Sequence, residues 1–591
     1  MNEKLKSILR TAWAEPRHFF FWLAFFSLVA LICIAAAAGF AGPPRVLAYF
    51  ALLCALCFVV AVAAFVLGWI PPVRRLLSWL LGRRFLALAS IITLVALFYA
   101  VENWRGRSAW QNFKRGREAQ GERFDFAELT PRPVPADQNF FESPLWNDLH
   151  FTQTKAGVTW SDTNWGNHVI FNVFGPQGAN SPTTGGWPKA QHVDLAAWQT
   201  FYRGTNNLFE AKNGAPTNYF PIAAEPQTPA ADVLLALSKF KENRELLRAA
   251  SSRPHARFWI NWDAGPAMLL PHLARLKATS QYLSLHATAA LKAGDKATAM
   301  EDLQMLFRLM DSVREEPILI SHLVRLAVEQ IALQTIWEGL ADRQWSEADL
   351  TLLQSELGHL DFLADYKTAM VGEKACNLWV VDYIRKSGLT GWNELVSTEH
   401  EASSRGDVEK FLTGATFELI PGGWFDQNKL SLCRFHEQYI LPAANEQQHR
   451  IDPVKVRQSE AAVSKRSSSP YDILRKLYLP AYGKAAERFA RGQSSVDLAR
   501  TACALERYRL AKGQFPETLD LLAPQFIEKL PPDVITGAPL KYHRNADGNF
   551  TLYSVGWNET DDGGKTVATK QGSPDPDRGD WVWQYTKETA G

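Results

Sequence analysis

Three long apolar stretches dominate the first hundred residues of the chain. They cover residues 18–40, 46–70 and 85–101, and none carries a charged side chain once His18 is set aside. A helix needs about 20 apolar residues to cross the bilayer core, and the third stretch is at the short end of that range. Turn-like GPP and PPVRR sequences separate the stretches. The pattern therefore predicts three transmembrane helices rather than buried core helices, and the first stretch is too long for a cleaved signal peptide.

The distribution of Lys and Arg predicts the orientation of these helices, because short basic segments stay on the cytoplasmic side. The segment before the first stretch and the loop after the second are basic, whereas the first loop holds only Arg45. This places the soluble body outside, in the periplasm of a bacterial cell. A basic run follows the third stretch directly and favours a cytoplasmic body, although long domains translocate despite such a flank. The basic residues of that run are Arg105, Arg107, Lys114, Arg115 and Arg117.

After the apolar block, the hydrophobic pattern predicts a helix, then a loop-rich region, and then a series of helices. Residues 103–128 are expected to form a helix leaving the membrane, and the Gly-, Asn-, Thr- and Pro-rich residues 140–227 are expected to form ordered loops with a strand near 168–175. From residue 229 the apolar positions recur with helical spacing, and Asp295 and Ser346 stand where they would cap helices. Residues 419–429 read as a loop between helices. The body is therefore predicted to be a helical, repeat-like scaffold.

The predicted fold class is a membrane-anchored, mainly α protein with a small α+β module at its C-terminus. The domains are expected to be a three-helix anchor (1–101), a juxtamembrane helix with a Trp-containing loop region (102–228), a helical body (229–490) and the C-terminal module (491–591).

Composition narrows the function classes. The net charge of +2 gives no basic field for nucleic acid, so no nucleic-acid partner is expected. The six cysteines show neither a disulfide framework nor a zinc-ligand spacing. The 21 tryptophans include many in loop-like segments. They are expected to pin those loops, with a carbohydrate-stacking surface as the alternative.

Catalytic signatures are not found in the sequence. It has no GxSxG elbow, and GGKT at residues 563–566 lacks the glycine that a phosphate loop needs four residues before its GK. His272 and His322 lie on apolar helical faces and are expected to be hydrogen-bonded core histidines. The acidic residues Glu301, Asp302, Glu315 and Glu316 are expected to be solvated helix ends.

The stretch from residue 285 to 309 weakly resembles a tetratricopeptide helix pair. Small or turn residues occupy matching positions, but only one such unit is present and no 34-residue period recurs. The matching residues are Ala289, Ala290, Gly294, Asp295, Ala299 and Leu303.

The last ninety residues are similar to the globular part of the major, G-type pseudopilins of type II secretion. A helix ending at Gly513 is followed by a Pro-containing turn and by a predicted hairpin with Asp547–Gly548 at its turn. The matching residues are Leu505, Tyr508, Arg509, Gly513, Phe515, Pro516, Leu522, Leu530, Pro531, Asp533, Gly537, Pro539, Tyr542, Tyr553, Ser554, Gly556, Gly563 and Gly564. The family's apolar N-terminal assembly helix is missing, so filament assembly is not implied.

The resemblance implies a calcium site in the loop after the final hairpin. The family's acidic-Gly pair is replaced here by Asn558–Glu559, which departs from the family's calcium ligands. The residues themselves agree in part, because calcium binds six to eight oxygen ligands in a flexible cage; a solvated acidic loop is the alternative. The candidate ligands are Asn558, Glu559, Asp561, Asp562, Asp575, Asp577 and Asp580.

These observations predict a non-catalytic scaffold or interaction platform anchored in the bacterial inner membrane, with the lipid bilayer and another envelope protein as partners. An envelope hydrolase acting on glycans or peptides is the alternative from another class, with its cleft in residues 140–227. An accessory component of a secretion apparatus is a third interpretation. Paired carboxylates 5–10 Å apart in a deep pocket would favour the hydrolase, with separations of about 5–9.5 Å typical of glycosidases.

Overall fold

The computed structural model describes residues 84–154, 157–160, 171–175, 181–210, 216–398, 420–464, 469–473, 482–570 and 574–585, with isolated positions between 21 and 66. The first two predicted membrane spans therefore lie mostly outside the described residues. Within the described part, one helix is long and apolar enough to cross a membrane, not three.

The described part of the chain is mainly helical, which confirms the coarse fold class. Its helices are α1 (Arg84–Glu118), α2 (Phe126–Leu129), α3 (Leu195–Arg203), α4 (Pro229–Leu237), α5 (Lys241–Ser251), α6 (Pro271–Lys292), α7 (Lys296–Ser312), α8 (Leu319–Ala341), α9 (Glu347–Gly358), α10 (Phe362–Thr398), α11 (Gly422–Phe435), α12 (Pro453–Ser464) and α13 (Tyr482–Lys512).

The strands form small antiparallel sheets. They are β1 (Phe151–Thr154), β2 (Gly157–Trp160), β3 (Leu208–Glu210), β4 (Pro216–Asn218), β5 (Ala444–Asn445), β6 (Arg450–Ile451), β7 (Lys541–Arg544), β8 (Phe550–Ser554), β9 (Thr566–Ala568), β10 (Pro574–Gly579) and β11 (Trp581–Trp583). The largest described sheet has the order β11-β8-β7, and the other described sheets are two-stranded.

Local sequence signals determine where several helices begin and end. Asp295 caps α7 by accepting a hydrogen bond from the Thr298 amide at 3.1 Å, and Gly294 before it has a positive φ of 87°. Ser346 and Asp349 form the predicted capping box at the start of α9. The helix after residue 229 is interrupted by a 3-10 turn between α4 and α5. The two predicted caps are confirmed, whereas the interruption between α4 and α5 was not expected from the helical spacing.

Two local expectations are wrong. Residues 419–429 were expected to be a loop, but α11 begins at Gly422. Its glycines are poor helix formers, and the close packing of Gly423 on α1 overrides that propensity. The strand expected near 168–175 is a turn over the described residues 171–175, where Phe171 has a φ of 64° and a buried ring. A positive φ lies outside the β region that a strand needs.

The C-terminal module packs into the same apolar core as the helical body. One continuous core cluster runs from Phe126 to Trp583. Strand β11 inserts Trp583 beside Trp187 with ring centroids 5.0 Å apart, and the Trp337 indole of α8 donates a 2.9 Å hydrogen bond to the Gln584 carbonyl. The predicted hairpin is present as β7–β8, with Gly548 at φ 82° in its turn.

Candidate functional site

The strongest functional feature of the described chain is the junction between α1 and the body. Exposed apolar side chains recur about every three residues along α1 as far as Trp104, whereas Glu102 and Asn103 on the same stretch are buried, at 8% and 2% exposed. The exposed residues are Leu88, Ile91, Leu94, Leu97, Phe98, Val101 and Trp104. The same helix then continues without a break to Glu118.

Glu102 holds this helix against α11 and a neighbouring turn. One carboxylate oxygen accepts hydrogen bonds from the Trp424 indole at 2.8 Å, the Tyr471 hydroxyl at 2.9 Å and the Arg105 guanidinium at 3.1 Å. A buried carboxylate needs such partners, because an unpaired one is strongly destabilising. Asn103 accepts a further 2.7 Å bond from the Gly423 amide.

Glycines allow the two helix backbones to touch. A Cβ atom on Gly106 would overlap the Gly423 carbonyl, and one on Gly423 would overlap the Glu102 carbonyl. We call this contact the helix–body seam and define it as Glu102, Asn103 and Gly106 of α1 with Gly423 and Trp424 of α11. Farther along α1, Trp110 packs with Phe124, Leu378, Leu430 and Cys433 in a separate small core. The body is therefore fixed to α1 over several helical turns.

Aromatic residues surround the point where the exposed apolar band ends. Trp424 lies edge-on to Phe98 at 6.3 Å and to Tyr471 at 5.8 Å, and Trp104 is 62% exposed. Trp and Tyr are enriched at the level of lipid headgroups, where an apolar ring and a polar tip are both satisfied. The arrangement is typical of a membrane–water boundary.

The seven predicted calcium ligands are divided between several local contacts. Asn558 donates to Asp562 at 2.8 Å, and Asp580 accepts from the backbone amides of Asp562 and Gly564 at 3.2 and 2.7 Å. Asp561 accepts a 3.0 Å bond from the Tyr553 hydroxyl.

The remaining predicted ligands interact with basic residues or with backbone. Glu559 pairs with Arg457, Asp575 pairs with Arg578 at 2.9 Å, and Asp575 also accepts from the Asp577 amide. Within the ranges that the structure describes, a convergence of three or more histidine, cysteine or carboxylate ligand atoms occurs elsewhere in the body, not in this loop. The calcium site stays a prediction.

The convergence involves His192, Glu338 and Asp342, whose ligand atoms lie within 4.8 Å of one another. This cluster could not be predicted from the sequence, because one of its residues is distant from the other two along the chain. Glu338 lies on α8 and Asp342 directly follows its last residue. Their four-residue spacing puts them on one helical face, which is a visible signal. His192 is far away in sequence, in the loop before α3. The hydrogen bond between the His192 ring and the Glu338 carboxylate, which accepts it, raises the pKa of His192, although burial acts in the opposite direction.

A pocket of about 350 Å³ lies between the connector at residues 130–134, the loop at 256–262 and the end of α7. Three carboxylates line it. Glu315 forms an ion pair with Arg257, and Glu316 accepts from Ser321 while its other oxygen lies 3.0 Å from His272 Nε2. Glu142 is the third. Glu315 and Glu316, which follow the end of α7, are thus committed to structural partners.

Buried polar contacts revise one sequence interpretation. Asp302 and Glu316 are 0% and 6% exposed, so they are not solvated helix ends. Asp302 binds the Arg244 guanidinium at 2.8 Å and the His286 ring at 2.6 Å. His272 and His322 are fully buried in the core, and the bond between His272 and Glu316 agrees with the predicted role of that histidine.

Comparison of the chain with protein-family models, with curated proteins and with solved structures finds no match.

Proposed function

We propose that the protein is a scaffold anchored in the bacterial inner membrane, whose body presents an interaction surface to another envelope protein. Three membrane-spanning helices hold it, and the body lies in the periplasm. The observation that carries the proposal is α1, an apolar helix with a lipid-type exposed face that runs directly into the body. The helix–body seam keeps the body at a set height and angle above the bilayer, which is a requirement for a platform and not for a freely tethered enzyme.

The pocket supports the scaffold over the hydrolase. Hydrolytic acid–base catalysis on a glycan needs two carboxylates free to exchange protons about 5–9.5 Å apart. In the pocket, Glu315 is neutralised by Arg257 and Glu316 is bound by Ser321 and His272. Glu142 alone does not form such a pair.

Two measurements test this proposal. Flotation of the full-length protein with liposomes tests the anchor, and we expect the chain to float. Protease treatment of intact spheroplasts, followed with an antibody to the C-terminus, tests the side of the membrane. We expect degradation without lysis, with a cytoplasmic protein as the protected control. Recovery of the full chain in the soluble fraction would contradict the anchor, and protection until lysis would contradict the periplasmic location.

Calcium binding by the C-terminal acidic loop is a further part of the proposal. Millimolar calcium is expected to raise the melting temperature of the full chain in detergent, and Asp562→Asn is expected to remove that effect. Asp137→Asn, at an exposed aspartate in a 3-10 turn outside this loop, is the matched control. An equal calcium response in both variants, or none in the wild type, would contradict a site in the loop.

A further inference from the structure

We propose that His192, Glu338 and Asp342 form a binding site for a transition-metal dication such as Zn²⁺ or Co²⁺. The site lies where the loop before α3 meets the C-terminal part of α8. It is separate from the acidic loop at the C-terminus and does not depend on the membrane anchor.

The buried carboxylate of Glu338 is oriented by contacts outside the cluster. Its Oε1 atom accepts hydrogen bonds from the Val193 amide at 2.6 Å and from the Gln334 side chain at 3.0 Å. The Glu338 side chain is only 1% exposed. These bonds leave Oε2 directed at His192, whose Nδ1 atom is 2.5 Å away. Metal-binding carboxylates are commonly oriented by outer hydrogen bonds of this kind.

The loop that carries His192 is itself fixed on α8. Gln334 accepts a 2.6 Å hydrogen bond from the Trp187 amide and donates a 3.2 Å bond to the Gln191 carbonyl. The His192 ring also packs on Trp337 with centroids 4.8 Å apart. The imidazole is therefore held beside the two carboxylates and is not free to swing away with a mobile loop.

A cation already occupies this place. The Lys292 ammonium contacts Asp342 and lies 3.9 Å from Glu338 Oε2. A metal ion would bind both carboxylates together with a nitrogen lone pair of neutral His192, and the proton shared by His192 and Glu338 would leave to water. Lys292 is 31% exposed, so its ammonium group can move into water when the ion binds.

The ligand atoms, one nitrogen and two oxygens, indicate which metal ions the site would prefer. One imidazole nitrogen with two carboxylate oxygens suits Zn²⁺, Co²⁺ or Mn²⁺, whereas Mg²⁺ and Ca²⁺ prefer oxygen alone. Metal–ligand bonds of about 2.0–2.2 Å require ligand atoms roughly 3–4 Å apart. Because the three ligand atoms already lie within 4.8 Å of one another, small side-chain rotations are sufficient. Three protein ligands leave a position for water.

Titration of the full-length protein in detergent with Co²⁺ tests the site, with the visible absorption of the bound ion as the readout and Zn²⁺ displacement as confirmation. We expect one class of Co²⁺ site with a nitrogen-containing ligand set. His192→Gln keeps a hydrogen-bonding partner for Glu338 but has no imidazole, so the affinity should fall at least about tenfold, since losing an outer partner alone weakens metal sites about 10–100-fold. Asp342→Asn should weaken binding in the same direction.

Two further variants make the test specific. Lys292→Met removes the competing ammonium group and should tighten Co²⁺ binding severalfold, whereas a merely acidic surface would show only a small general change. His543→Gln alters an exposed histidine outside the cluster and should leave binding unchanged. Absence of a Co²⁺ spectrum in the wild type, equal affinity in His192→Gln, or no gain in Lys292→Met would overturn the proposal.

Discussion

At the scale of single residues, a buried polar side chain without hydrogen-bond partners affects how stability depends on pH. His436, at the C-terminal end of α11, is 0% exposed, and neither ring nitrogen has a hydrogen-bond partner. Burial, with a smaller contribution from Lys374, lowers the pKa of His436 from 6.5 to about 3. The folded protein therefore holds this ring neutral, whereas the unfolded chain takes up a proton below about pH 6.5.

We expect His436 to make the protein less stable in acid. Since the unfolded state binds the extra proton, the free energy of unfolding should fall as pH drops from 6.5 toward 3, by about 1.4 kcal/mol per pH unit and about 2 kcal/mol by pH 5. His436→Leu should remove that part of the pH dependence. Denaturant unfolding at pH 7 and pH 5 measures it. His543→Leu, at an exposed position, is the control, and an identical pH slope in both variants would show that the prediction is wrong.

The glycine contact in the helix–body seam gives a second prediction at the residue scale. Gly423→Ala places a methyl group on the Glu102 backbone and should destabilise the chain by about 1–3 kcal/mol. Gly116→Ala is the matched control on α1, where an added Cβ meets nothing within 4 Å. It should be neutral or stabilising by up to about 1 kcal/mol. Thermal unfolding in detergent compares them, and equal melting temperatures would argue against a tight seam.

At the scale of elements, periodicity and capping predicted the helices that pack mainly through their own amphipathic faces. Helices α7 and α9 begin at predicted caps because side chains within four residues supply the hydrogen bonds. Helix α11 was missed because Gly422 and Gly423 are a local signal for a loop, whereas the close packing of Gly423 against the distant helix α1 favours a helix. The His192 cluster was missed for a related reason, since its loop and α8 are brought together by tertiary contacts alone.

The capping box of α9 should have a measurable effect. Ser346→Ala removes the bond to the Asp349 amide and should lower the free energy of unfolding by about 1 kcal/mol. Ser355→Ala changes an exposed serine within the same helix and should have little effect or stabilise slightly, because alanine is the better helix former. Chemical denaturation of both variants checks this. A larger loss in Ser355→Ala would contradict the role of the cap.

At the scale of the whole molecule, the sequence predicts four parts, and in the described residues one large apolar core cluster includes side chains from three of them. Trp583, near the C-terminus, is 0% exposed and packs against Trp187 from the loop region. Changes of composition along the chain indicate those divisions, and composition carries no record of which surfaces meet after folding.

The shared core predicts cooperative unfolding of the body. Calorimetry of the full chain should show one main transition, and Trp583→Ala should shift that whole transition downward, with a loss of about 3–5 kcal/mol expected for a buried aromatic. Trp259→Ala, at a residue that is 49% exposed, should shift it less. If Trp583→Ala splits off a separate early transition, the C-terminal module unfolds independently and this prediction fails.

The unbroken helix α1 rigidly connects its exposed apolar segment to the body. A helix of 35 residues is about 52 Å long, and its body end has no hinge at the seam. Transmembrane helices tilt to match the thickness of the surrounding bilayer. If α1 spans the bilayer as proposed, its tilt would turn the body through the same angle, so a change in local bilayer thickness would redirect the face that the body presents. The protein would in this way convert a mechanical property of the membrane into a change in the reach of its body.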